Sequence, residues 1–460
     1  GYIYGIKIWC FAMISRILDA KLRFVDHDSK FFLLTFWRCY GVATPHSRSV
    51  KQLAEDLKLP AQAVSESLSE LIEAKVLTVF ARPEGKGRPK CIFEVSEAAQ
   101  SQLREIEERH LGHPELLERL LSGERIRATW AGWKEGLDSK SVSNPGTREG
   151  KQVAPVRLGQ LSLANRLLLM ILISRADPFG VVKGLSSREL CLMAGMEGNG
   201  LKQRLRRLTA LGFIRRHIPG IASSVFAKKL TSIYLLNLNH LQLSPVRDVV
   251  STAVHQALDD PNRDCNHVTA VWWDRESFLK RREYHIPLSV VRLFRKVPKH
   301  AFDQLEFFIC DCASGFLSRH WAGADPAVWR KVRGVDFAVK QQIADFFRQP
   351  MVDPKNGVAL DHDRLIDFFE GLVFQVANEY AKRFSELAAV SFDEVDFMLL
   401  PVHVSIGHEH VAMLFKGPPD REQEHWLVTR AYDDPEVERV YREADIELDV
   451  RQKAGLLTPP

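Results

Sequence analysis

The sequence predicts a mainly α-helical protein with small β-hairpins, arranged as two similar blocks followed by an α-rich module that also carries strands. Three observations predict it. Apolar residues recur at three- and four-residue spacing through much of the chain. The order helix, short capped helix, helix, hairpin occurs twice before residue 243. Between the two occurrences, residues 133–158 (WKEGLDSKSVSNPGTREGKQVAPVRL) are rich in Gly, Ser, Pro and charge and have no apolar period, which marks a linker. The boundaries are therefore set at 14–132, 133–158, 159–243 and 244–460. A chain of 460 residues is too long for one ordinary core, so several domains are required.

Residues 1–14 (GYIYGIKIWCFAMI) are apolar but shorter than a membrane span and lack a small-residue cleavage site. They are expected to form a helix or strand packed on their own domain, with Met13 an alternative natural start. The first block then opens at residues 29–42, where Phe32, Leu33, Phe36, Trp37 and Tyr40 recur at helical spacing after a cap at Ser29. A short helix capped by Ser49 follows over 49–57, then a turn at Lys58-Leu59-Pro60 and a helix over 61–74. Two extended runs, 77–81 and 90–95, flank a basic tip rich in Gly and Pro at 84–89. Downstream, residues 101–124 read as a charged amphipathic helix carrying Leu103, Ile106, Leu111, Leu116, Leu117, Leu120 and Leu121. That stripe either pairs subunits or folds back on its own domain.

The second block repeats the order. Residues 161–176 are an apolar helix, 186–196 a short one capped by Ser186 or Ser187, and 198–211 a third, with Leu201, Leu205 and Leu208 on one face. Gly212 supplies a left-handed stop. Residues 213–217 and 230–238 are expected to pair as strands around the loop 218–229.

Both blocks resemble winged-helix transcription regulators of the MarR and ArsR kind. The residues that carry the resemblance are Val50-Lys51-Gln52-Leu53-Ala54 with Val64-Ser65-Glu66-Ser67-Leu68-Ser69-Glu70-Leu71, and Ser187-Arg188-Glu189-Leu190 with Arg204-Leu205-Arg206-Arg207-Leu208. The patterns are general to the superfamily and span roughly half the chain. The resemblance implies two winged helix-turn-helix domains, double-stranded DNA as partner, and flanking helices that lean toward a homodimer.

Such a domain needs cations where its third helix and wing meet phosphates, and donors on the helix face that reaches base edges. Net charge alone, +5 with a pI near 8.7, would not indicate nucleic acid. Distribution does. From 196 to 230 the chain carries Lys202, Arg204, Arg206, Arg207, Arg215, Arg216, Lys228 and Lys229 against the single acid Glu197. Lys202, Gln203, Arg206 and Arg207 are the candidates for groove contact, because the leucines must face the core, and Asn199 is a candidate for a phosphate at the helix start. The alternative is that this basic face pairs with acids of the third module or merely solubilises the helix. The first block is weaker: its third helix bears Glu66, Glu70 and Glu73, which repel phosphate. Arg48, Lys51, Lys86, Arg88 and Lys90 remain for backbone contact, and Gln62, Ser65 and Ser69 for bases. Equally, this domain is a protein-interaction copy of the fold.

In the module 244–460, helices are expected at 246–258, 288–295, 301–318, 336–348 and 361–388, with Trp272, Trp273, Trp321 and Trp329 as core pieces. Residues 397–415 alternate like strands, placing His403, Ser405, Gly407 and Glu409 on one face. His403, His408 and His410, Cys310 with Cys312, and Cys265 with His267 lack zinc-site spacing, so no metal is expected. No phosphate-binding glycine loop or nucleophile elbow occurs, so neither an enzyme nor a cofactor is expected. Seven cysteines, odd in number and scattered, fit a reducing, cytoplasmic setting rather than a disulfide framework, and no stretch reads as a membrane anchor. The reading is a sequence-specific DNA-binding transcription regulator whose third module engages a protein partner or controls assembly. A replication or partition initiator of a plasmid or other mobile element is the alternative, and a protein-interaction scaffold the alternative of another class.

Overall fold

A computed structural model describes residues 2–22, 25–44, 47–82, 90–124, 126–128, 159–223, 226–246, 248–257, 290, 299–321, 337–347, 362–384, 394–401, 409–417, 427–430, 438–441, 443 and 446–458. These residues form many helices and small sheets, as the fold class anticipates, and divide into two compact units. Unit 1 is Gly1–Ile214 with His240–Ser244 and Pro460; unit 2 is Arg215–Asn239 with Pro245–Pro459. The linker 133–158 lies outside the described residues, as do the expected helix 288–295 apart from Val290, the tip 84–89, and Trp272, Trp273 and Trp329. No described helix is long and apolar enough to cross a membrane.

Unit 1 is built on two buried helices. Helix α1 (Tyr2–Asp19) packs on α2 (His27–Tyr40), and α2 in turn packs on α7 (Leu163–Ser174). Nearly every residue of α7 is buried, and Ser29 to Trp37 of α2 are buried as well. A helix that is apolar all round can only be stable with neighbours on all sides, so the first helix of each block serves a common core. Asp26, not Ser29, caps α2: its carboxylate accepts the Ser29 N–H at 2.7 Å, because Ser29 already occupies the third helical position.

Around α2 stand α3 (Val50–Leu57), α4 (Ala61–Glu73) and the antiparallel pair β1 (Leu77–Arg82) and β2 (Lys90–Val95), which run in register from Leu77 opposite Val95 to Arg82 opposite Lys90. Ser49 and Gln52 form a reciprocal capping box on α3. Isolated bridges from Ala43 to Glu94 and from Arg48 to Cys91 lay the segment before α3 along the other edge of β2. The helix expected over 101–124 is two helices, α5 (Glu97–Glu105) and α6 (Pro114–Leu121), because Pro114 cannot continue a helix and is accepted only in a first turn. Leu103, Leu111, Leu116, Leu117, Leu120 and Leu121 are all buried within the chain. The stripe considered for pairing subunits is therefore spent on the protein's own core.

The second block contributes α7, β3 (Val181–Leu185, not anticipated), α8 (Ser187–Ala194) and α9 (Gly198–Ala210). Ser186 and Glu189 box the start of α8, and Gly195 closes it in the left-handed region at φ 60°. A Cβ at Gly195 would lie 2.6 Å from the Val25 carbonyl oxygen, so only glycine lets this turn sit against the segment that leads into α2. Lys30 secures the same joint. Its ammonium is fully buried and donates to the carbonyls of Leu18, Ala20 and Met193 at 3.0, 2.7 and 2.5 Å, at the C-terminal ends of α1 and α8. Burial lowers its pKa to about 7, opposed by the nearby Asp19 carboxylate, and the two helix ends favour a cation.

Unit 2 contains β4 (Ile214–Ile218) from its second residue on, and β5 (Ser232–Leu236), adjacent in one sheet. A second sheet has the order β10-β9-β6-β8-β7, with β6 (Ser251–Ala257), β7 (Asp396–Leu399), β8 (Glu409–Lys416), β9 (Leu427–Arg430) and β10 (Glu438–Tyr441). Its pairs are antiparallel except β6 with β9, which run parallel. The helix expected over 246–258 is thus the middle strand of five. Its apolar spacing mimicked a helix, but pairing on both edges suits the Ser-Thr-Ala-Val run and wins. Helices α10 (Lys299–His320), α11 (Phe337–Phe346) and α12 (His362–Phe384) match the expected segments 301–318, 336–348 and 361–388, and α10 packs on β7 and α12. Trp321 lies partly buried against this core. A short α13 (Leu448–Lys453) ends the fold.

Candidate nucleic-acid interface

Helix α9 turns Leu201, Leu205 and Leu208 inward and leaves Lys202, Gln203, Arg206 and Arg207 exposed, as its periodicity requires. Among the described residues none of Lys202, Arg206 and Arg207 enters an ion pair or a side-chain hydrogen bond, so their donors face solvent. Asn199 is exposed in the first turn. Glu197 precedes the helix but makes no side-chain cap, and a Cβ at Gly198 or Gly200 would meet nothing within 4 Å. The first amides of α9 therefore lie beside open space, where an anion can approach the backbone. Arg188 on α8 is also exposed and was not singled out by the sequence, because a lone cation in a short capped helix reads as ordinary surface.

Arg204 points sideways. Its guanidinium lies 3.4 Å from Ser162 Oγ, 3.5 Å from Asn165 Oδ1 and 3.3 Å from His27 Nε2, which ties α9 to the starts of α7 and α2. Half-buried, it positions the helix more than it presents charge.

Arg215 and Arg216, expected to meet phosphate, are corrected outright: both are buried. Arg215 makes a two-pronged pair with Glu443 and donates to the Leu456 carbonyl at 2.9 Å. Glu443 also accepts from Asn239 Nδ2 at 2.8 Å and Thr252 Oγ1 at 3.1 Å. Burial works against its charge, but the Arg215 guanidinium prevails and holds the carboxyl below its ordinary value. Arg216 bonds the Asp303 carboxylate at 2.9 Å and the Pro401 carbonyl at 3.1 Å. For these two arginines, pairing with acids of the third module is the outcome.

The loop 218–229 is anchored rather than projecting. Ile221 and Phe226, with Leu230 just beyond the loop, are buried in the core formed by α10, α11 and α12, and the Ala227 N–H donates to the Phe346 carbonyl at 3.0 Å. Lys228 and Lys229 remain exposed on it.

In the first block, Lys51 is exposed on α3, while Arg48 bonds Asp56 at 3.0 Å; Asp56 also accepts from the Tyr40 hydroxyl at 2.5 Å. Arg48 is therefore engaged before any phosphate arrives. Lys86 and Arg88 lie outside the described residues, and Lys90 is placed in β2 by its backbone alone. Glu70 is corrected: half-buried, it accepts the Asp26 N–H at 2.9 Å and the Ser29 hydroxyl, clamping α4 to the start of α2 instead of facing a groove. Glu66 is exposed and accepts from Gln62 Nε2 at 2.9 Å, and Ser69 Oγ donates to the Ser65 carbonyl at 3.0 Å.

Among the described residues no three His, Cys, Asp or Glu side chains gather as metal ligands would. Cys310 and Cys312 are buried on α10, and burial pushes the Cys310 thiol well up, which keeps it protonated. Cys265, His267, His403 and His408 lie outside the described residues. No known protein family, no curated protein and no solved structure matches the chain.

Proposed function

We propose that this protein is a double-stranded DNA-binding transcription regulator whose first half holds two winged helix-turn-helix domains, with α9 as the principal reading helix. The observation that carries the reading is the exposed face of α9. Lys202, Gln203, Arg206 and Arg207 follow along the helix from its uncapped, glycine-lined start and meet no acid among the described residues. The order of α2, α3, α4, β1 and β2, with the 43–48 segment bridged to β2, supports the domain type in the first block.

A replication or partition initiator is the second reading. It is favoured by the compact unit that holds the first block together with the helices of the second, since such a protein engages DNA with both at once.

The test is a gel-shift titration of the full chain on duplexes selected from a random pool, at two salt concentrations. The variant Arg206→Ala/Arg207→Ala is expected to lose about 1–3 kcal/mol per lost base contact and to flatten the salt dependence if either arginine meets phosphate. Occurrence of the selected motif as clustered repeats in the host's DNA would favour the initiator. Wild-type binding by that variant would overturn α9 as the reading helix.

A further inference from the structure

The acids of the first block pose a problem for a DNA-binding reading, because a helix that must dock on phosphates should not carry them. The structure removes part of the problem and gives the rest a use. Glu70 is turned inward onto Asp26 and Ser29, so the outer face of α4 is Gln62, Ser65, Glu66, Ser69 and Glu73, with no cation. Ser69 spends its hydroxyl proton on its own helix. What remains in the first half of α4 is a pre-formed amide–carboxylate pair, Gln62 and Glu66, one helical turn apart and bonded at 2.9 Å.

This pair does not stand alone. Glu70 on α4 reaches Asp26, and Arg204 on α9 reaches His27, the next residue. The side chains of Glu70, His27 and Arg204 and one peptide thus link the two helices, and even fully stretched they separate the Glu70 and Arg204 Cα atoms by roughly 28 Å. Two reading helices placed in successive grooves of a two-fold site stand about 34 Å apart. The Asp28 carboxylate, raised by burial, feels both Arg204 and Glu66, which agrees with that closeness. Lys30 and Gly195 make the joint between the blocks tight and dry.

Resting on the DNA-binding reading above, we propose that α4 and α9 form one composite reading head, in which α9 supplies the phosphate anchors and α4 reads bases through Gln62 and Glu66. An amide pairs with adenine through N6 and N7, and a carboxylate accepts from the cytosine N4 amino group. A helix without cations can do this only beside one that brings them. The partner is therefore one short contiguous stretch of duplex, with adenine or cytosine preferred toward the α4 end, and not two sites read by tethered heads.

The probe is a pool of random 40-bp duplexes, and the protein is the full chain. The expected result is a single contiguous motif in which insertion of either 5 or 10 bp at its centre lowers affinity about tenfold or more, as a lost base contact would. The variant Gln62→Ala/Glu66→Ala, at two exposed positions, is expected to lose sequence preference at one end of the motif. Its affinity for unselected duplex should be unchanged or tighter, with the salt slope unchanged. A 10-bp insertion that is tolerated, or a variant that keeps the full motif, overturns the composite head and leaves α9 as a reader on its own. Retention of no duplex by the wild-type chain overturns the DNA-binding reading, and the head with it.

Discussion

Replacing Glu443 by Leu should strand a buried cation. Arg215 and Glu443 have side chains only 2% and 3% exposed, and water cannot replace the lost carboxylate. Arg215 would keep one acceptor, the Leu456 carbonyl, Asn239 would keep the Val250 carbonyl, and Thr252 would lose the carboxylate it donates to. Breaking a buried pair from one side costs about 3–5 kcal/mol, because the surviving charge is left uncompensated. For a unit of this size each kcal/mol lowers Tm by about 2–4 °C, so the drop is about 6–20 °C. Differential scanning calorimetry of the full chain reads it. The double variant Arg215→Met/Glu443→Leu should recover most of the loss, since well-packed apolar groups replace such pairs at little cost. The pH arm has a definite sign. Arg215 holds Glu443 below its ordinary value of 4.5, so the unfolded chain takes up the proton first as pH falls. The pair's stabilisation is present above about pH 4.5 and is lost as pH drops through the folded value; the double variant should lose this part of its acid sensitivity. A Tm change under 2 °C for Glu443→Leu, or a double variant no better than the single, would refute the reasoning.

Gly195→Ala puts a Cβ 2.6 Å from the Val25 oxygen at a φ of 60°, and should destabilise unit 1 by at least about 1–2 kcal/mol, read as faster amide exchange in α8 and α2. Exchange unchanged there would mean the turn is not seated on Val25. Phe226→Ala removes a ring buried against Phe346 and Phe347, and should cost about 3–5 kcal/mol in the unfolding of unit 2. A loss below about 1 kcal/mol would show that the 218–229 loop does not lean on that core.

Elements whose signals are local could be read from the sequence. The cap at Ser49, the cap at Ser186 (one of two candidates), the leucine stripe of α9 and the paired runs at 77–81 and 90–95 all appear where expected. The break between α5 and α6 was also written there, in His113-Pro114, but a continuous apolar stripe outweighed it. What failed depended on partners distant in the chain. Val249, Val250 and Val254 have helical spacing, yet β6 is a strand because β8 and β9 flank it from more than 150 residues away. Lys30 looks like a surface lysine in a sequence; the carbonyl of Met193 makes it an internal one.

The two arginine pairs of the second block show why charge counting divides a site wrongly. Arg206-Arg207 and Arg215-Arg216 are identical in composition and nine residues apart. In a helix with one covered face, the leucines at 205 and 208 force both residues between them outward, so the first pair must be presented to solvent. In a strand, successive side chains leave on opposite faces, and a strand covered on both sides presents neither. β4 is such a strand: Arg215 meets Glu443 and the Leu456 carbonyl, while Arg216 meets Asp303 and the Pro401 carbonyl. The change from a period of 3.6 to a period of 2 occurs at Gly212, in the left-handed region at φ 80°. A basic run that crosses such a point is two runs, and of these two arginine pairs only the helical one is presented to solvent.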